Sequence, residues 1–72
     1  MRILLVEDDE LLARGMITRL KLMGYQPEHC TTGKQALQAA QDSDFSLMIL
    51  DLGLPDGFAL DVIRQLRQSS VN

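Results

Sequence analysis

Two sets of carboxylates stand out: Glu7-Asp8-Asp9-Glu10, and Asp51. Each directly follows a short aliphatic run, residues 3–6 and 47–50. Gathered at one place, such groups repel one another unless a cation neutralises them. A hard divalent ion suits them, and Mg²⁺ takes oxygen ligands octahedrally from one or two carboxylates and water. A carboxylate held beside such an ion is also a nucleophile suited to phosphoryl transfer, where electrostatics does most of the work. The competing reading is structural, because acidic residues after a strand commonly cap the next helix and favour its dipole. The acidic run alone favours caps. Asp51, at the end of a second buried run, tips the balance towards a site.

The elements that must position these residues follow from hydrophobic period. Arg2–Val6 is an apolar run closed by acids, as expected of a strand buried on both faces. From Glu10 the pattern changes: Leu12, Met16, Leu20 and Met23 recur at helical spacing, opened by Asp8 or Asp9 as N-cap and closed by Gly24. Residues 25–30 form a second, weaker strand that Pro27 marks as an edge. Thr31-Thr32-Gly33 turns the chain into a short helix over 34–41 carrying Ala36, Leu37 and Ala40, which Asp42-Ser43-Asp44 breaks. A third strand over 45–50 leads to a loop over 51–57 rich in Gly, Pro and Asp. The last helix runs over 58–68, with Ala59, Val62, Ile63 and Leu66 on one face.

Strands and helices alternating at this spacing predict parallel strands joined by right-handed crossovers, hence an α/β layered fold in one domain. In such open sheets, ligands bind beyond the carboxyl ends of the strands, where the winding reverses. A 2-1-3 strand order puts that crevice above the first and third strands, where Glu7-Asp8 and Asp51 converge.

Composition narrows the function. Seven Lys and Arg against ten Asp and Glu give a formal charge of −3, which argues against direct nucleic-acid contact by these residues. The aliphatic runs fall far short of the roughly 20 residues that span a bilayer, and the acids after the first run exclude a secretory segment. A single cysteine, Cys30, fits a reducing compartment, and a cytoplasmic location is expected. At 72 residues the core is small, so stability is marginal without a staple or a partner.

At this point the motifs carry a resemblance. Arg2-Ile-Leu-Leu-Val-Glu-Asp-Asp9, Gly24-Tyr25, Gly33 with Ala36-Leu37, Asp51-Leu-Gly-Leu-Pro-Asp56 and Arg64-Gln-Leu-Arg67 together resemble the N-terminal part of a receiver domain of two-component response regulators. The likeness covers essentially the whole chain and is strongest for regulators carrying a C-terminal winged-helix DNA-binding domain. It implies a flavodoxin-like receiver fold, cut to β-α-β-α-β-α. It further implies that Asp51 is the phosphoacceptor, taking a phosphoryl group from the phosphohistidine of a sensor histidine kinase. In the family's pattern Asp8 ligates Mg²⁺ directly, Glu7 acts through water, and Gly53 lends its backbone carbonyl to the metal. Pro55 stiffens that loop, and Asp9, just past the pair, is a cap. Family receivers catalyse their own phosphorylation and dephosphorylation and are not enzymes acting on a separate substrate.

Two departures qualify the resemblance. Where the family has Asp-Gly entering the third helix, this chain has Phe58-Ala59, and Asp56-Gly57 two residues earlier is the substitute cap. Receivers also have five strand–helix pairs, of which residues 1–72 carry three. The Ser/Thr and Lys that meet the phosphoryl group belong to the remainder, and neither Lys21 nor Lys34 sits at a strand end. Impaired phosphotransfer is therefore expected, as is a homodimer or higher association through an open third strand. The alternative is a self-associating half-domain scaffold with a vestigial acidic site. A Mg²⁺-dependent phosphohydrolase ranks lower, because no Asp-x-Asp follows either strand. His29, without a partner at ligand spacing, reads as a surface histidine, and Cys30 as a half-buried structural thiol. Met16, Met23 and Met48 read as core, and Arg64 and Arg67 as complements to the last helix dipole.

Overall fold

The computed structural model describes residues 1–42 and 44–69. Six elements follow in order: β1 (Arg2–Val6), α1 (Glu10–Leu22), β2 (Gln26–Cys30), α2 (Gly33–Asp42), β3 (Leu47–Leu50) and α3 (Ala59–Ser69). The three strands form one parallel sheet in the order β2-β1-β3. Among the described residues no helix is long and apolar enough to cross a membrane.

The central strand explains the layering. Ile3, Leu4, Leu5 and Val6 are all buried, and successive side chains in a strand point to opposite faces. Leu4 and Val6 join Ala36 of α2, Leu54, and Ala59 and Val62 of α3 in one core cluster. Ile3 and Leu5 lie on the other face, where α1 crosses the sheet on the β2 side. Their neighbour in β3, Ile49, lines a groove on that face with Met16, Leu20 and Met23 of α1.

Helix ends follow their sequence signals. Asp9 is the N-cap of α1: its backbone is extended and its carboxylate accepts from the Leu12 amide at 3.1 Å. At the other end Gly24 takes φ +89°, which a Cβ would disfavour. The Gly24 amide donates to the Lys21 carbonyl, and the Tyr25 amide to the Leu20 carbonyl, both at 3.0 Å. That paired arrangement is the Schellman stop. Asp42 is the last residue of α2, so the expected helix break begins one residue later; Ser43 lies outside the described residues.

One expectation needs correction. The Leu12-Met16-Leu20-Met23 stripe is not a core stripe: Leu12 is 52% and Met23 64% exposed, and only Ala13 of α1 is buried. α1 leans on β2, so the side of the helix above β3 borders an open groove of about 260 Å³ instead of packed sheet. Met16 and Leu20 are half-buried at its wall, and Met48 packs on the opposite face against the core cluster. On α3, Ala59 and Val62 are buried as expected, while Leu66 keeps 38% of its surface exposed.

Arg2 adds a contact at the opposite end of the sheet. Its guanidinium pairs with Glu28 of β2 at 2.7 Å and lies 4.5 Å from the Phe45 ring centroid. Both charged groups are well exposed, so this pair contributes little to stability.

Because Leu4 is fully buried, Leu4→Ala removes side-chain volume from the centre of the larger core. The expected loss is about 3 kcal/mol, whereas Leu11→Ala, 80% exposed, stays within about 0.5 kcal/mol. Urea titration followed by circular dichroism separates the two.

Candidate functional site

The parallel register sets Val6 of β1 beside Leu50 of β3, so the residues that follow them emerge at the same level of the sheet. The ladder continues one step further, with the Asp51 amide donating to the Val6 carbonyl and the Glu7 amide to the Cys30 carbonyl, both at 3.0 Å. Here the two acidic stretches meet. Glu7, Asp8 and Asp51 each offer an oxygen, and these atoms all lie within 4.8 Å of one another. Asp8 is exposed, while Glu7 and Asp51 are half-buried.

The acids around this point divide by hydrogen bonding. Asp9 is committed to capping α1. Glu7 accepts from the Asp9 amide at 3.2 Å, and Asp51 accepts from the Gly53 amide at 2.9 Å. A carboxylate has room for about four hydrogen bonds, so Glu7 and Asp51 retain acceptor capacity. Asp8 makes no hydrogen bond among the described residues. An all-oxygen donor set of this kind fits a hard divalent cation and gives nothing to a soft one.

The loop after Asp51 is built by its own short-range bonds. Gly53 is turned back on Asp51 by the 2.9 Å bond, Leu54 is buried in the core, and the Gly57 amide closes a turn onto the Leu54 carbonyl at 3.1 Å. Gly57 takes φ +73° in that turn. Asp56 was expected to cap α3, and it does accept from the Phe58 amide, at 3.3 Å. Its main bonds go elsewhere, to the first turn of α2: Oδ2 accepts from Lys34 at 3.0 Å and Oδ1 from Gly33 at 3.2 Å. The Lys34 amide above all, then the Phe58 and Gly33 amides, hold the Asp56 carboxyl below its ordinary range, against an opposing push from desolvation. Gly33 also explains Phe58: a Cβ on Gly33 would stand 2.7 Å from the Phe58 Cβ, so the two backbones approach where only glycine fits. Phe58 is thus partly covered by α2 and 41% exposed.

Two residues judged inert from sequence have definite settings. His29 is exposed at the end of β2, and its ring donates from Nε2 to the Glu7 carbonyl oxygen at 2.8 Å. No spacing rule could have revealed this, because the bond joins residues 22 apart through strand pairing. Cys30 packs beside the core cluster, and burial, followed by the charge of Glu28, pushes its thiol above the ordinary value. It is half-buried, as read. Lys21 and Lys34 stand in the last turn of α1 and the first turn of α2.

Residues 3–72 match the response regulator receiver domain family. The chain is 43% identical over 68 residues to the transcriptional regulatory protein BasR of Escherichia coli K12, covering 94% of this chain and 31% of that protein. It is 44% identical over 71 residues to the response regulator protein PmrA of Pseudomonas aeruginosa, covering 99% and 32%. The chain therefore spans about a third of the length of these relatives. Among solved structures, the non-phosphorylated HemR receiver domain of Leptospira biflexa superposes with a TM-score of 0.88 at 38% identity, over 96% of this chain and 56% of that one. The response regulator TrrA of Thermotoga maritima, solved with Mg²⁺ and BeF, gives 0.89 at 28% identity, over 96% and 60%.

The Asp56 contact makes stability pH-dependent with a definite sign. Its carboxyl titrates lower in the folded chain than at the unfolded value of about 3.9. The contact therefore contributes fully above that value and is lost as pH falls through the folded one. Thermal melts of wild type and Asp56→Asn from pH 7 to pH 3 are expected to differ most near neutrality and to converge below about pH 4.

Proposed function

The chain belongs to the response regulator receiver domain family, and on that premise we propose that Asp51 is the phosphoacceptor of an aspartyl phosphotransfer site. The observation that carries the reading is the meeting of Glu7, Asp8 and Asp51 oxygens within 4.8 Å at the carboxyl ends of β1 and β3. The donor is the phosphohistidine of a sensor histidine kinase. An Asp51 carboxylate oxygen forms a bond to phosphorus as the phosphorus–nitrogen bond breaks. The electron pair returns to the imidazole nitrogen, and the product is an acyl phosphate on Asp51.

Each residue of this chain has a part. Asp51 extends β3 by one ladder bond, to the Val6 carbonyl, which fixes where its carboxylate leaves the sheet. The Gly53 amide engages Asp51 Oδ1 and leaves Oδ2 as the oxygen for attack. Asp8 and Asp51 would ligate Mg²⁺ directly, Glu7 through water, and Gly53 through its carbonyl. When bound, the ion neutralises this acidic cluster and offsets the charge of the incoming phosphoryl group.

A second reading has support of its own. The outer edge of β3 pairs with no strand among the described residues, and Leu47 on it is 48% exposed. An edge of this kind recruits another strand, which favours self-association through β3. Sedimentation equilibrium across a concentration series decides it: a mass independent of concentration and equal to one chain rejects association.

Phosphotransfer is tested by intact mass after incubation with acetyl phosphate and Mg²⁺. The expected result is partial gain of a single phosphoryl group, abolished by EDTA and by Asp51→Asn, and reduced at least tenfold in Asp8→Asn. A folded wild-type chain that gains nothing, or an Asp51→Asn chain modified like wild type, overturns the assignment.

A further inference from the structure

We propose that Asp56 is a positioning residue for the acidic site: its carboxylate clamps the loop after Asp51 to the first turn of α2 and so fixes the backbone at Gly53. This inference rests on the reading of Glu7, Asp8 and Asp51 as a cation-dependent site and extends it to a residue outside the acidic cluster.

The geometry is that of a two-point clamp. Asp56 reaches across 22 and 23 residues of sequence to accept from two successive amides, Lys34 at 3.0 Å and Gly33 at 3.2 Å. These amides open α2, where backbone N–H groups have no partner inside the helix and the dipole favours an anion. Two amides on one carboxylate fix its orientation as well as its position. The second point is steric, with Phe58 lying so close to Gly33 that a Cβ there would fall 2.7 Å from its own. Asp56 lies within the turn that the Gly57 amide closes onto the Leu54 carbonyl, and Phe58 follows that turn directly.

Between clamp and site the chain has little freedom. Leu54 is buried, Pro55 has a fixed φ, and Gly53 is already bonded back to Asp51. Gly53 has no side chain to anchor it and is exposed. Its orientation is therefore set by its neighbours on either side: Asp51, held by the sheet, and the Leu54–Gly57 turn, held by Asp56. The depressed titration of Asp56 agrees with a carboxylate that stays charged in this contact. Releasing it frees the far side of the loop while the sheet and the acidic cluster stay in place.

Amide hydrogen exchange and Mg²⁺ titration by NMR on the 72-residue chain test the clamp, with Leu5 of the central strand as the reference for global opening. In Asp56→Ala, exchange at Gly53 is expected to rise about tenfold more than at Leu5, and Mg²⁺ affinity to fall about tenfold. Asp56→Asn, which keeps one acceptor oxygen, is expected to recover part of both and serves alone if the alanine variant does not fold. Exchange that rises equally at Gly53 and Leu5 reveals a merely structural role and overturns the proposal, as does unchanged Mg²⁺ affinity. If wild type itself binds no Mg²⁺, the phosphoacceptor reading fails; the ratio of Gly53 to Leu5 exchange then decides the clamp by itself, and an unchanged ratio rejects it.

Discussion

The fold depends on the burial of β1 between two parallel neighbours. A strand covered on both faces must be apolar along its length, and Ile3 to Val6 meet that requirement with no polar interruption. The same constraint creates the site. Polar residues are excluded from the strand until it leaves the sheet, so the first acids of the chain appear together at its carboxyl end. β3 is equally apolar, although Leu47 is exposed and its other three residues are only half-buried, and the register of Val6 with Leu50 brings Asp51 to the level of Glu7 and Asp8. No side chain has to reach far.

Carboxylates so concentrated need distinct partners, and the backbone supplies most of them. Asp9 binds the Leu12 amide, Glu7 the Asp9 amide, Asp51 the Gly53 amide, and Asp56 the amides of Gly33 and Lys34. Asp9 and Asp56 are anions at helix N-termini, where dipole and free N–H groups stabilise negative charge. Asp8, exposed between Glu7 and the cap, makes no such bond among the described residues. It is the member of the cluster most open to a cation.

Much of this was legible in the sequence because the signals are local. A continuous apolar run, an Asp before a helical stripe and a Gly after it each report on a few consecutive residues, and each gave the right element. The α1 stripe misled for the opposite reason. Its spacing is truly helical, but spacing says which face is apolar and not what covers it; Leu12 and Met23 are both more than half exposed, Met23 at the wall of the open groove. Asp56 was read as a cap for the helix after it, by sequence proximity, while its stronger bonds cross to α2. His29 had no partner at ligand spacing because its partner is a main-chain carbonyl. Contacts that depend on how two loops approach across a sheet leave no periodic trace.

The departure at Phe58-Ala59 shows how one such contact follows from another. Ala59 is buried against the core, so α3 begins close to the sheet. That brings Phe58 against the start of α2, and Gly33 is what permits the approach. With the two helix starts so near, the loop between them passes over the open amides of α2, and Asp56 is placed to satisfy two of them. A larger residue at 33 would force the helices apart and withdraw those amides from Asp56. Gly33, Asp56 and Phe58 therefore act as one joint between α2 and the loop that carries Gly53, and the sequence around Asp51 alone could not have revealed it.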